Sequence, residues 1–147
     1  MNVADLAHSH QRIGIDSNVV IYALEGSGPE SETARAIFDL LATGACSGVL
    51  SILGLVEVLV GPARHPGDAL VQRYADELLD LEGLEIIPID RDAAIEAAHV
   101  RAGGTPLADA IHLASARTSG ASAFVTNDRR LEALPGLEVI TLPDLVA

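Results

Sequence analysis

Arg12-Ile13-Gly14-Ile15-Asp16-Ser17-Asn18-Val19-Val20-Ile21-Tyr22-Ala23-Leu24 is the stretch that decides how the rest of the chain is read. Arg12 to Ile15 is a short apolar run of the kind that makes a buried strand, and Val19 to Leu24 can wind into a helix. Between them lies Asp16-Ser17-Asn18, a polar cluster suited to a helix N-cap. In an open α/β sheet, ligands bind at the carboxyl ends of the strands. Asp16 is therefore either a cap or the first ligand of a site, and the other acids of the chain decide which.

Outward from this unit, Ser27-Gly28-Pro29-Glu30 is a break, and Ser31 to Thr43 carries Ala34, Ile37, Phe38 and Leu41 at helical spacing, with Gly44 as its stop. Val49 to Ile52 reads as a strand and Leu53 to Val60 as a helix stopped by Gly61-Pro62. A helix from about Gly67 to Leu81 follows, then a strand over Leu84 to Ile89 and a helix capped by Asp90 that runs to Arg101. Gly103-Gly104 ends that helix. Thr105 is the expected N-cap of the next, with Pro106 at its first position, and this helix continues to Arg117. Ala121 to Val125 is a strand, Asn127-Asp128 starts a short helix, and Leu137 to Thr141 is a last strand. Strands alternating with helices predict an α/β fold: three layers, α/β/α, around a mostly parallel central sheet of about five strands.

At 147 residues the chain is expected to be a single domain, 1–147. A chain of that size buries roughly two-thirds of its unfolded surface. Hydrophobic residues make up 49% and aromatics only 3%, with no Trp, so aliphatic side chains must fill the core. The lone Cys46 forms no internal disulfide, and Met1 to Gln11 is too polar for a signal peptide. The longest uncharged run, Leu40 to Val56, is broken by Thr43, Gly44, Ser47 and Gly48 and is no membrane span. A cytoplasmic protein with no membrane partner is expected. The net charge of −12, with nine basic residues that are all Arg, argues against a broad phosphate-gripping surface. Any nucleic-acid contact must be local or helped by cations.

Four acids stand out, each with a plainer explanation beside it. Asp16 and Asp128 follow strands and suit caps, and Asp109 sits in a first helical turn, where the dipole favours a negative charge. Glu57 is different, being the only charged residue between Asp39 and Arg64. A carboxylate in such an apolar run needs a partner, either a core Arg or a metal ion. If the strands are parallel neighbours, Asp16, Asp109 and Asp128 meet at one edge and Glu57 is a helical turn away. Clustered carboxylates repel unless a cation neutralises them. Oxygen ligands suit Mg²⁺ or Mn²⁺, no Cys/His zinc pattern is present, and metal-assisted phosphodiester chemistry follows as the hypothesis.

These motifs resemble those of the PIN-domain ribonucleases: Ile15 to Leu24 the first, Val56-Glu57-Val58-Leu59 the second, Pro106 to Ala114 the third and Val125 to Leu131 the fourth. The resemblance spans Ile13 to about Leu142. Ser17 replaces a frequent threonine and His112 a usual aliphatic residue. A stand-alone domain of this size is similar to the VapC toxins of toxin–antitoxin pairs. That resemblance implies an RNA substrate and one or two Mg²⁺ held by Asp16, Glu57, Asp109 and Asp128. It also implies a homodimer inhibited by a VapB-like antitoxin. Ser17, Asn18 and Thr126 would orient carboxylates or waters, and Arg129 or Arg130 would touch the RNA backbone.

Other residues have plainer readings. His112 on an alanine-rich helix is expected to pack, His8, His10 and His65 to be solvated, Asp90 to cap, and Cys46 to be inert. A phosphatase or receiver-type domain also places an Asp after a buried strand. The phosphatases, however, want a second acid where this chain has Asn18, and both classes use a lysine that the chain lacks. A PIN-like domain that only binds RNA or a protein gains nothing from a repulsive acidic cluster.

Overall fold

The computed structural model describes all 147 residues. It begins with a helix that the polar N-terminus did not suggest, α1 (Val3–Ser9), nucleated by a capping box. Asp5 N–H donates to Asn2 Oδ1 at 3.0 Å and Asn2 N–H donates back to Asp5 Oδ2 at 2.9 Å. There follow β1 (Arg12–Ile15), α2 (Ser17–Glu25), α3 (Pro29–Ala42), β2 (Ser47–Ser51), α4 (Ile52–Ala63), α5 (Ala69–Leu79) and β3 (Leu84–Ile87). The chain closes with α6 (Arg91–Ala102), α7 (Leu107–Thr118), β4 (Ala123–Thr126), β5 (Glu138–Thr141) and a 3-10 turn over Leu142–Asp144. No helix is long and apolar enough to cross a membrane.

All four strand pairings are parallel, in the order β3-β2-β1-β4-β5. Period-two alternation assigns each strand's side chains to opposite layers. Ile13, Ile15, Leu50, Ala123 and Val125 face one core, shared with Leu6, Val19, Ile37 and Leu78. Val49, Phe124 and Ile87 face a second, smaller core with Leu113 and Ala116 of α7. The two cores make the three layers, and the all-parallel sheet agrees with the expected α/β/α fold.

Several boundaries differ from the sequence expectation. β2 ends at Ser51, which caps α4 by accepting from Gly54 N–H at 3.1 Å. Pro62 lies inside the last turn of α4 instead of stopping it. Pro106, not Thr105, is the N-cap of α7, because its extended backbone (ψ 148°) still offers its carbonyl to Ala110 N–H at 2.8 Å. Asn127-Asp128 starts no helix. Thr126 Oγ1 accepts from Asp128 N–H and Asp128 Oδ1 accepts from Arg130 N–H, so side chains satisfy the backbone and hold a turn. His10 is buried rather than solvated, bonded to Ser122 Oγ at 2.7 Å and lying 3.2 Å from Glu138. Asp90 caps α6 as expected, by accepting from Ala93 N–H.

One position shows how tightly α7 lies on the sheet. Gly14 faces α7, and a Cβ there would stand 2.6 Å from both Ala116 Cβ and Phe124 Cδ2. Gly14→Ala is expected to destabilise the protein by about 1–3 kcal/mol through overpacking, read as a lower urea midpoint at unchanged m-value. An unchanged midpoint would show that α7 gives way without cost.

Candidate active site

Strand order reverses at β1, whose neighbours β2 and β4 lead to opposite halves of the sheet, and such a switch point opens a crevice at the carboxyl ends. Three adjacent strands end there in polar residues: Ser51 on β2, Asp16 just after β1 and Thr126 on β4. Asp16 occupies the N-cap position of α2 but makes no side-chain cap bond. Its backbone N–H extends the β1–β4 ladder to Val125 O at 2.9 Å, and its carboxylate turns to side chains instead. Asp16 Oδ2 accepts from Thr126 Oγ1 at 2.6 Å and from Asn18 Nδ2 at 3.2 Å. Asn18 Oδ1 in turn accepts from Asn127 N–H at 3.0 Å, which fastens the start of α2 to the loop after β4.

Glu57 comes from the second turn of α4. It is not as deeply embedded as its apolar run suggested: its side chain is 38% exposed. Its protein partner is not a core Arg but His112 of α7, whose Nε2 lies 2.6 Å from Glu57 Oε1. Ser17 Oγ donates to the same oxygen at 3.0 Å and lies 3.4 Å from Asp16 Oδ1, linking the two acids. His112 is buried, as packing would require, and its ring stacks on Phe124 with centroids 6.4 Å apart. Its Nδ1 sits 2.9 Å from Ser51 Oγ, so both ring nitrogens have partners.

Asp109 lies in the first turn of α7. Its pKa is raised, first by burial, then by the charge of Asp16, with Asp128 and Glu57 adding to the effect and His112 opposing it. The four acids thus share one electrostatic environment. Asp109 and Asp128 line a cleft of about 470 Å³ together with Gly104, Thr105, Arg130 and Glu132. Asp128 is held low in pKa by its hydrogen bonds from the Arg130 side chain and backbone. Arg129 is exposed and points to Asp144, 3.7 Å away, so the arginine at the cleft is Arg130.

Asp16, Glu57 and His112 each present one donor atom, all within 4.8 Å of one another. Asp109 and Asp128 lie outside this group, and Asp109 is coupled to it by charge; the two carboxylates of the group offer oxygen, which fits a hard divalent cation. Asp128 lies on the rim and is tied to Arg130. Ser17, Asn18 and Thr126 bond the carboxylates directly. Ser51 and His112 were missed as site residues. The available signal was a polar residue at the end of a strand and a histidine three residues after Asp109, each weak without the third dimension.

No curated protein matches the chain in sequence. Solved structures do match in fold. The VapBC2 structure from Rickettsia felis, bound to a DNA fragment from its promoter, aligns at TM-score 0.71 and 19% identity over 88% of this chain and 98% of that one. A toxin–antitoxin complex from Klebsiella pneumoniae aligns at 0.67 and 24% identity, over 88% and 97%. DNA-bound VapBC from Salmonella typhimurium aligns at 0.67 and 21%, over 89% and 98%. At these identities the likeness is one of fold. The sequence model of the PIN domain matches residues 13–137, from within β1 to the residue before β5. All four acids fall inside that match, and the chain belongs to the PIN domain family.

Proposed function

We propose that this chain is a Mg²⁺-dependent endoribonuclease, with Mn²⁺ as an alternative ion, and the toxin of a VapBC-like toxin–antitoxin pair. PIN domains are generally nucleases, which supports hydrolysis of nucleic acid. The observation that carries the reading is the meeting of Asp16 and Glu57, with His112, within 4.8 Å of one another at the carboxyl end of the sheet, while Asp109 feels the charges of Asp16, Asp128 and Glu57. Asp16, Glu57 and Asp109 would hold the ion, with Asp128 completing the site from the rim. A divalent ion held there supplies a Lewis acid for the phosphodiester and acidifies a water for attack.

The chain's own residues do the positioning. Thr126 and Asn18 aim Asp16 through Oδ2, and Ser17 ties Asp16 to Glu57. Arg130 supplies positive charge at the cleft, where a phosphate can exchange with Asp128 as its partner. This local cation suits a molecule of net charge −12, whose surface otherwise repels RNA. The toxin assignment draws support from the VapBC folds above, of which this chain covers nearly the full length. In that role the protein acts as a homodimer restrained by a VapB-like antitoxin. A stable complex with the product of a small neighbouring gene, abolishing cleavage, is the test of that part.

Single-stranded RNA should be cut with Mg²⁺ and left intact in EDTA, and Asp16→Asn or Asp109→Asn should reduce cleavage to the EDTA level. A variant as active as the parent would remove that carboxylate from the mechanism, and cutting of DNA but not RNA would reject the ribonuclease assignment. Stability should move the opposite way. Because the folded pKa of Asp109 is raised, its proton stabilises the fold at pH below the unfolded value of 3.8. That contribution is lost as pH rises through the folded pKa. Asp109→Asn should therefore raise the thermal midpoint of the metal-free protein at neutral pH, with the gain shrinking towards pH 3.8. A lower midpoint at neutral pH would show that neither burial nor charge crowding governs this residue.

A further inference from the structure

We infer that Ser51 and His112 form a positioning relay that holds the Glu57 carboxylate for the cation, an inference that rests on the metal-dependent reading above. The proposed relay gives each hydrogen bond a direction. Ser51 Oγ accepts from Gly54 N–H at 3.1 Å and lies 2.9 Å from His112 Nδ1, to which its own hydrogen is free to donate. In the neutral ring an imidazole that accepts at Nδ1 carries its hydrogen at Nε2. That N–H meets Glu57 Oε1 at 2.6 Å, a carboxylate oxygen that can only accept when ionised. With both nitrogens engaged, His112 has no lone pair for a metal. The cluster of Asp16, Glu57 and His112 is then two carboxylate ligands and one imidazole that orients the second.

The ring itself has little freedom. Phe124 stacks on it with 28° between the planes, and α4 passes close at Gly54, where an added Cβ would stand 3.7 Å from His112 Cε1 and 2.4 Å from Leu50 Cδ1. His112 and Ser51 are 4% and 5% exposed, so water does not compete for these bonds. Both donors to Glu57, Ser17 Oγ and His112 Nε2, converge on Oε1, and Oε2 receives none from the protein. The relay thus occupies one carboxylate oxygen and leaves the other for the ion. It also ties α4 to α7, the helices that carry Glu57 and Asp109, through a side chain rather than through the sheet.

The test is Mn²⁺ affinity by calorimetry alongside ¹⁵N NMR of the histidine rings in the metal-free protein. The parent should show His112 as the Nε2–H tautomer. Ser51→Ala should shift that tautomer balance, and His112→Ala should weaken Mn²⁺ binding about 10- to 100-fold. His112→Gln, whose amide N–H reaches the position of Nε2, should recover part of the affinity, which simple loss of packing would not. Should His112→Ala fail to fold, the Ser51→Ala and His112→Gln proteins carry the comparison. An Nδ1–H tautomer in the parent, or variants that bind Mn²⁺ as tightly as a parent that binds it well, would overturn the relay and leave the nuclease reading standing. A parent that binds no Mn²⁺ would overturn that reading itself, and the relay with it.

Discussion

Mutual repulsion among carboxylates is the constraint on which this structure turns. Asp16, Glu57, Asp109 and Asp128 enter from the end of β1, from α4, from α7 and from the loop after β4, and burial first, then the charges of the other three, raise the pKa of Asp109. A fold does not gather like charges for stability, since each ionised group in the crevice costs free energy that a polar neutral residue would not. A cation would relieve the tension, and the carboxylate oxygens suit a hard one. The strain at Asp109 and the proposed chemistry are two aspects of one arrangement.

The sheet makes that arrangement possible. Because β1 lies between β2 and β4, its carboxyl end is flanked by two others, and Ser51, Asp16 and Thr126 stand side by side. None of these residues acts alone: Thr126 bonds Asp16, Asn18 bonds both, and Asn127 is tied back to Asn18. The loop after β4 is held by these bonds and by the turn that Thr126 and Asp128 build, rather than by a helix. A net of neutral hydroxyl and amide donors orients the acids without cancelling their charge, which leaves that charge available to an ion.

Overall acidity and the proposed RNA substrate would be reconciled by locality. The surface field of a protein at −12 repels a polyanion, so contact depends on what happens inside one cleft. There Arg130 is already paired with Asp128 and exposed, so a phosphate would exchange one partner for another at little cost. Arg129, one residue earlier, is directed to Asp144 and takes no such position.

Much of this was legible in the chain. Apolar runs alternating with helical periods predict a parallel sheet covered on both faces, because a strand buried on both sides must be apolar throughout. The four acids were visible because each follows a strand or opens a helix, or, for Glu57, interrupts an apolar run without a local partner. Local pattern failed where a choice depended on distant residues. Ser122 and Glu138 draw His10 inward, and Asp16 gives up capping for Thr126. His112 is the clearest case. Its helix and spacing indicate only burial, and its bonds to Ser51 and Glu57, 61 and 55 residues away, exist only once α4 and α7 cross beside the sheet. The sequence by itself determined which side chains could bind a cation, since their type and their place at strand and helix ends are local properties. Tertiary structure alone decided which of them meet, and through which atoms, because hydrogen-bond geometry depends on distances that no spacing along the chain encodes.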